Sequence, residues 1–275
     1  MPHPPPSDRH IRRFGAFDRT VHLALMTSFL GLAATGLPLL FIEAPWAPAL
    51  SRLFGGVEVA GTVHRVFALV MLGSFVAHVG RVLYRLFVRN EPLLWGPASM
   101  VPQPRDVREF VQHVQWFVGR GPRPRFDHFT YWEKFDYWAV FWGMAIIGGS
   151  GFMLWFPELF TRVLPGQALN VALLVHGEEA LLAAGFIFTI HFFNGHFRPE
   201  KFPIDTVIFT GSVSEEDLRE ERPGEYDRLV EERRLESLTV TAPTRGRVLY
   251  GQIVGGLALT TGVVLFVLIL RAVLS

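Results

Sequence analysis

Five long apolar stretches limit what this chain can fold into. They run roughly Phe17–Phe41, Val57–Phe87, Phe135–Phe156, Leu169–Phe193 and Val248–Leu274. A hydrocarbon core about 30 Å thick is crossed by about 20 apolar residues in a helix rising about 1.5 Å per residue, and each stretch is long enough. The reading is an all-α membrane protein, a transmembrane helical bundle with four spans in its core and a fifth C-terminal span. Composition agrees: 50% of the 275 residues are hydrophobic, only 19% are charged, and mean hydropathy is +0.29. An ordinary soluble domain is less apolar.

Charge sets the orientation. Arg9, Arg12, Arg13 and Arg19 lie before or at the very start of the first span, and a run from Arg81 to Lys134 lies at the end of the second or before the third. The 197–247 connector is also rich in Arg and Lys, whereas loops 42–56 and 157–168 carry only Arg52 and Arg162. The positive-inside rule then puts the N-terminus and both long connectors in the cytoplasm. The expected layout is a cytoplasmic tail at 1–16, a four-span bundle at 17–196, a charged cytoplasmic connector at 197–247 and a fifth span at 248–275. Val107, Phe110, Val111 and Val114 give 104–120 the spacing of an amphipathic helix along the cytoplasmic membrane surface. The run "VSEEDLREERPGEYDRLVEERRLE" reads as a solvated helical linker broken at Pro223-Gly224. No A-x-A-like site follows the first span, so no cleaved signal peptide is expected.

A net charge of +1 gives no reason to expect a nucleic-acid partner. The absence of cysteine removes disulfides, thiolate zinc sites, protein-held iron–sulfur clusters and thioether-attached haem.

The polar signal is histidine. Five of the ten histidines fall within spans: His22, His64, His78, His176 and His191. Ionisable residues in membranes usually face the bundle interior and mark function. His22 and His191 lie toward the cytoplasmic ends of spans one and four, while His64 and His176 lie toward the outer ends of spans two and four. His176 and His191 are 15 residues apart, about 22 Å along the axis and about 60° around it. One helix can therefore serve two stacked sites. Imidazole is a standard axial ligand of haem iron, and two bis-histidine b-type haems, held non-covalently, fit this depth pattern. His78 is 14 residues past His64, so the inner pair is either His22/His191 or His78/His191. Gly31, Gly36, Gly73, Gly148, Gly149 and Gly151 would let a macrocycle approach the backbone, or let helices pack closely. Arg65 and Arg81 are candidate partners for propionates. A haem-free transporter or proton relay built on the same His and Glu residues is the alternative, and a plain structural anchor is a third reading.

Several segments then resemble a known family. "FDRTVHLALMTSFLGLAATGLPL", with Arg19, His22 and Thr35-Gly36-Leu37, is similar to the first span of the gamma, or b-type cytochrome, subunits of respiratory formate dehydrogenases, Ni–Fe hydrogenases and thiosulfate reductases. "VHRVFALVMLGSF" resembles their second-span motif and "LLVHGEEALLAAGFIFTIH" their fourth-span pair. "YWEKFDYWAVFWG" and "HFFNGHFRPEKFPID" are similar to bacterial relatives that work beside multihaem c-type cytochromes.

The resemblance covers about residues 11 to 211. It implies haem iron held by His22, His64, His176 and His191, with His78 as the alternative inner ligand. It also implies an inner-membrane electron-transfer subunit that reacts with quinone (menaquinone or ubiquinone) on behalf of an oxidoreductase complex. Its partner would be a periplasmic multihaem c-type cytochrome or an Fe–S or catalytic subunit. Asn194, His196 and Arg198 are the possible quinone vicinity, with Lys134 and Asp136 as further polar groups at that surface. The formate dehydrogenase members space the fourth-span pair by 14 residues. The 15 found here calls for a local bulge or for the His78 alternative.

Overall fold

The computed structural model of the protein describes residues 9–274; residues 1–8 of the expected tail, and Ser275, lie outside the described residues. Among the described residues, five helices are long and apolar enough to cross a membrane: Ala16–Leu40, Val57–Phe87, Tyr131–Trp155, Gln167–Phe197 and Arg245–Val273. The all-α transmembrane class follows. The third begins four residues before its apolar stretch, because Thr130 and Glu133 form a reciprocal cap. The Glu133 carboxylate accepts from the Thr130 N–H at 2.9 Å, and the Thr130 hydroxyl accepts from the Glu133 N–H at 3.4 Å.

By contact the described chain divides into two compact units. One comprises residues 9–19, 79–138 and 206–251, and includes a small sheet that the sequence reading does not anticipate. Strand β1 (Arg9–Arg12) is central, pairing antiparallel with β2 (Ser212–Ser214) on one side and β3 (Thr239–Thr241) on the other. Ile11 enters a core with Val213, Leu218, Leu229 and Leu235.

The charged run expected to be a solvated linker is therefore a folded part of this unit. It is helical at Glu215–Glu221 and Pro223–Glu231, and it turns Leu218, Glu225 and Leu229 inward. Pro223 starts the second of these helices, where its missing N–H costs no hydrogen bond. Gly224 rests on backbone: a Cβ there would lie 2.8 Å from the Arg125 carbonyl oxygen. Gly211 adopts a left-handed φ of +90°, and its carbonyl accepts from the Arg13 and Phe14 amides at 2.9 and 3.1 Å.

Buried charge reinforces the unit. Glu225 accepts from Arg13 and pairs with His128. Arg222 bonds the His128 carbonyl at 2.9 Å and Glu133 at 2.7 Å. Burial opposes ionisation of Glu225. The His128 hydrogen bond and the Arg13 and Arg222 charges outweigh it, holding the carboxyl at about 2.

The other unit comprises residues 20–78, 139–205 and 252–274. Its apolar core joins spans one, four and five through Leu37, Ala184, Phe188, Phe192, Leu259, Leu265 and Ile269. The fifth span seats these aromatics at Gly262, where a Cβ would fall 2.5 Å from Phe192 and 2.9 Å from Phe188. Span two packs on span one at Gly31, against Phe67, and on span three through Phe75 and Phe141, with ring centroids 4.9 Å apart.

Two spans depart from α geometry. Span three has a π turn at Met144–Gly148, and span four has π turns at Ile187–His191 and Phe193–Phe197. A π turn takes up one extra residue.

Candidate functional site: paired histidines in the bundle

His64 and His176 face one another. Their ring centroids are 6.3 Å apart and their planes are inclined by 71°. Two metal–imidazole bonds of about 2 Å each, with about 1 Å from ring nitrogen to ring centre on either side, give a separation of about 6 Å. The spacing suits one metal ligated from both sides.

The hydrogen bonds fix which nitrogen each ring offers. His176 Nδ1 lies 3.0 Å from the carbonyl oxygen of Ile147, within the span-three π turn. A carbonyl only accepts, so Nδ1 carries the proton and Nε2 keeps its lone pair. Ser150 Oγ is 3.3 Å from the same nitrogen, while its hydroxyl donates to the Ile146 carbonyl at 2.6 Å.

His64 is held in the same sense. The Thr35 hydroxyl donates to the Gly31 carbonyl at 2.7 Å, so its oxygen accepts from His64 Nδ1 at 2.9 Å. Thr35 is itself fully buried. Such partners orient metal-binding imidazoles and raise their basicity.

Two glycines clear space beside these rings. A Cβ at Gly151 would lie 2.8 Å from His176 Cε1, and one at Gly36 would lie 3.1 Å from His64 Cε1. The other glycines singled out from sequence differ. Gly31 seats Phe67 with a would-be contact of 2.4 Å, and a Cβ at Gly73 or Gly149 would meet nothing within 4 Å. Arg65 stacks on Trp155 at 5.8 Å and Arg81 on Phe17 at 4.4 Å. Glu179 accepts from the Trp142 indole at 3.2 Å.

At the other end of the bundle, His22 lies within electrostatic reach of His191 and His196. The π turn at Ile187–His191 absorbs one residue of the 15-residue interval. His191 is thus turned relative to His176 as though about 14 α-helical steps separated them, about −40° rather than about +60°. Of the two alternatives the spacing left open, a local bulge is present here, and the His78 ligand stays open beside it.

His196 has the opposite tautomer from the outer pair. Its Nδ1 accepts from the Asp205 amide at 3.2 Å, so in the neutral ring Nε2 carries the proton. Asp205 also pairs with Lys201 at 2.8 Å, and Arg198 Nε donates to the Asn194 carbonyl at 3.0 Å.

Lys134 is not available as a surface donor. It is 1% exposed, and its ammonium bonds both carboxylate oxygens of Asp106 at 2.8 and 2.9 Å. A charge buried this deeply persists only when paired, so its place is structural.

Sequence reasoning missed the supports. Thr35 sits inside a recognised motif but signals no role of its own, and the Ile147 carbonyl is invisible in a string of side chains. Among the described residues no three His, Asp, Glu or Cys side chains gather to hold a bare ion. What the fold offers is pairs.

Fold and geometry together define a multi-pass helical membrane protein with facing histidines in its bundle. No family model matches the chain. It is similar to the cytochrome b556(fdo) subunit of formate dehydrogenase from Escherichia coli K12, 23% identical over 171 residues, which is 62% of this chain and 72% of the relative. The same subunit from Escherichia coli O6:H1 and O157:H7 gives the same figures. The likeness supports a cytochrome b subunit of that type.

Proposed function

We propose that the chain is a di-haem b-type cytochrome subunit of a respiratory oxidoreductase complex. It carries electrons between a periplasmic redox partner and the quinone pool of a bacterial inner membrane, with its N-terminus in the cytoplasm. The observation that carries the reading is the outer pair: His64 and His176 face each other at 6.3 Å, with Nδ1 of each anchored and a glycine beside each ring.

The residues divide the work. His64 and His176 would hold one haem. His191 would hold the second together with His22, as the family resemblance implies, with His78 the alternative inner ligand. Haem, when bound, supplies the one-electron carrier that these side chains lack. The protein fixes the tautomers of His64 and His176, and support of this kind tunes the potential of a ligated metal. His196 is suited to a different task. With Nδ1 occupied, its Nε2–H points to hydrogen-bonding a quinone oxygen, and Asn194 and Arg198 lie in the same turn. The electron partner on the outer side is a multihaem c-type cytochrome or an Fe–S or catalytic subunit.

A pyridine haemochrome assay and a reduced-minus-oxidised spectrum of the purified chain test this. About two non-covalent haems per chain are expected, and a colourless protein sinks the proposal. His22→Ala should then lose the inner haem while His78→Ala keeps it. The reverse outcome reassigns the ligand.

A further inference from the structure

The helix Pro104–Phe117 is built inside out. At 100° per residue its side chains fall into three sectors. Asp106 and His113 face the protein and are buried, at 7% and 8% exposure. Centred about 90° away, Val107, Phe110, Val111, Val114 and Phe117 form an apolar stripe that stays 46–69% exposed. Arg108, Gln112 and Gln115 make a third, polar sector, also exposed. A helix on a water-soluble surface puts its apolar stripe inward. This one turns an ion pair inward and the stripe outward.

The helix is bolted to the first turn of a membrane span. Lys134 binds both oxygens of Asp106, and His113 Nδ1 lies 3.0 Å from the Tyr131 hydroxyl; Tyr131 and Lys134 open span three. Asp106 also accepts from the Gln103 amide at 2.6 Å, closing the N-terminal cap. The segment that holds the helix leaves span two at Phe87 and enters span three at Tyr131, so it starts and ends at one membrane face. Leu94 and Trp95, earlier in that segment, are likewise exposed, and Trp is favoured at the membrane–water boundary.

Charge fits the same surface. Arg108 and Arg120 are exposed, while Asp106 is neutralised by Lys134. Burial pushes the Glu109 carboxyl up to about 7, so it carries less negative charge than an ordinary glutamate. The exposed ionised groups between 104 and 120 are therefore cationic.

We propose that Pro104–Phe117 is an interfacial helix lying in the surface of the phospholipid bilayer that the chain spans. Its apolar stripe enters the boundary between headgroups and acyl chains, and Arg108 and Arg120 reach lipid phosphates.

Because the chain has no cysteine, single nitroxide labels can be placed cleanly on the full-length protein. Val114→Cys on the stripe and Gln112→Cys on the polar sector would be compared in phosphatidylethanolamine/phosphatidylglycerol nanodiscs. Spin relaxation by oxygen, which partitions into lipid, would be measured against a water-soluble nickel chelate. The label at 114 should favour oxygen and the label at 112 the chelate, with ratios differing severalfold. Equal access of the chelate to both positions overturns the proposal. So does a label at 114 shielded from both reagents, since that means a protein partner or a second copy covers the stripe.

Discussion

Gly151→Ala is the sharpest probe of the outer site. The new methyl carbon would start 2.8 Å from His176 Cε1 and 3.2 Å from its Nδ1, closer than real Cβ contacts allow. The imidazole is the neighbour that must move, and it is tied to the Ile147 carbonyl at 3.0 Å. Relief therefore tilts the ring, lengthens that bond, or pushes spans three and four apart. Overpacking of this kind costs about 1–3 kcal/mol, and disturbing the support of a metal-binding histidine weakens the metal by about 10–100-fold. The two scales agree, since tenfold is about 1.4 kcal/mol.

Gly149→Ala, in the same helix with nothing within 4 Å of its Cβ, is the matched control. Gly36→Ala, with a 3.1 Å contact to His64 Cε1, should fall between the two. The assay is haem retention in nanodiscs during exchange with a haem-scavenging protein. On the proposed two-haem reading, the outer haem should leave about 10–100-fold more readily from Gly151→Ala, with the inner haem spectrum unchanged. Equal retention by the 151 and 149 variants would refute the idea that this glycine makes room for a ligated ring.

Three further outcomes follow from the geometry. Deleting Ile190 should convert the π turn to α-helix and retain both haems, because the turn holds one residue in excess; inserting an alanine after Ile190 should lose the inner haem. Loss on deletion would show that the bulge does not set the ligand register. Lys134→Ala should destabilise the Pro104–Phe117 helix by about 3–5 kcal/mol, since Asp106 stays buried with no counter-charge; hydrogen exchange reads this, and Asp106→Asn/Lys134→Met should recover most of the loss. Glu225 contributes stability that is complete above about pH 4.5, its unfolded value, and that fades as pH falls toward about 2. Protease resistance of the Pro223–Glu231 helix should drop across that window, and a Glu225→Gln protein with the same pH profile would contradict it.

Hydropathy and charge are properties of contiguous residues, so the sequence alone determines the five spans, the depth of each histidine and the expected sidedness. The one-residue excess between His176 and His191 is also visible as a count, which leaves a bulge or the His78 ligand open, and a π turn lies in that interval. Counting cannot place the π turns, because a helix chooses its hydrogen-bond register only against its neighbours.

Tertiary structure alone decides the rest. It sets the facing of His64 and His176, the tautomers imposed by Thr35 and Ile147, and the contrary tautomer imposed on His196 by Asp205. It also turns a charged run into a folded unit, since Ile11 meets Val213 only after some two hundred residues of chain have returned. Lys134 shows why such facts escape a linear reading. Beside a membrane it looks like a surface charge, yet the Asp106 carboxylate 28 residues earlier makes its burial tolerable.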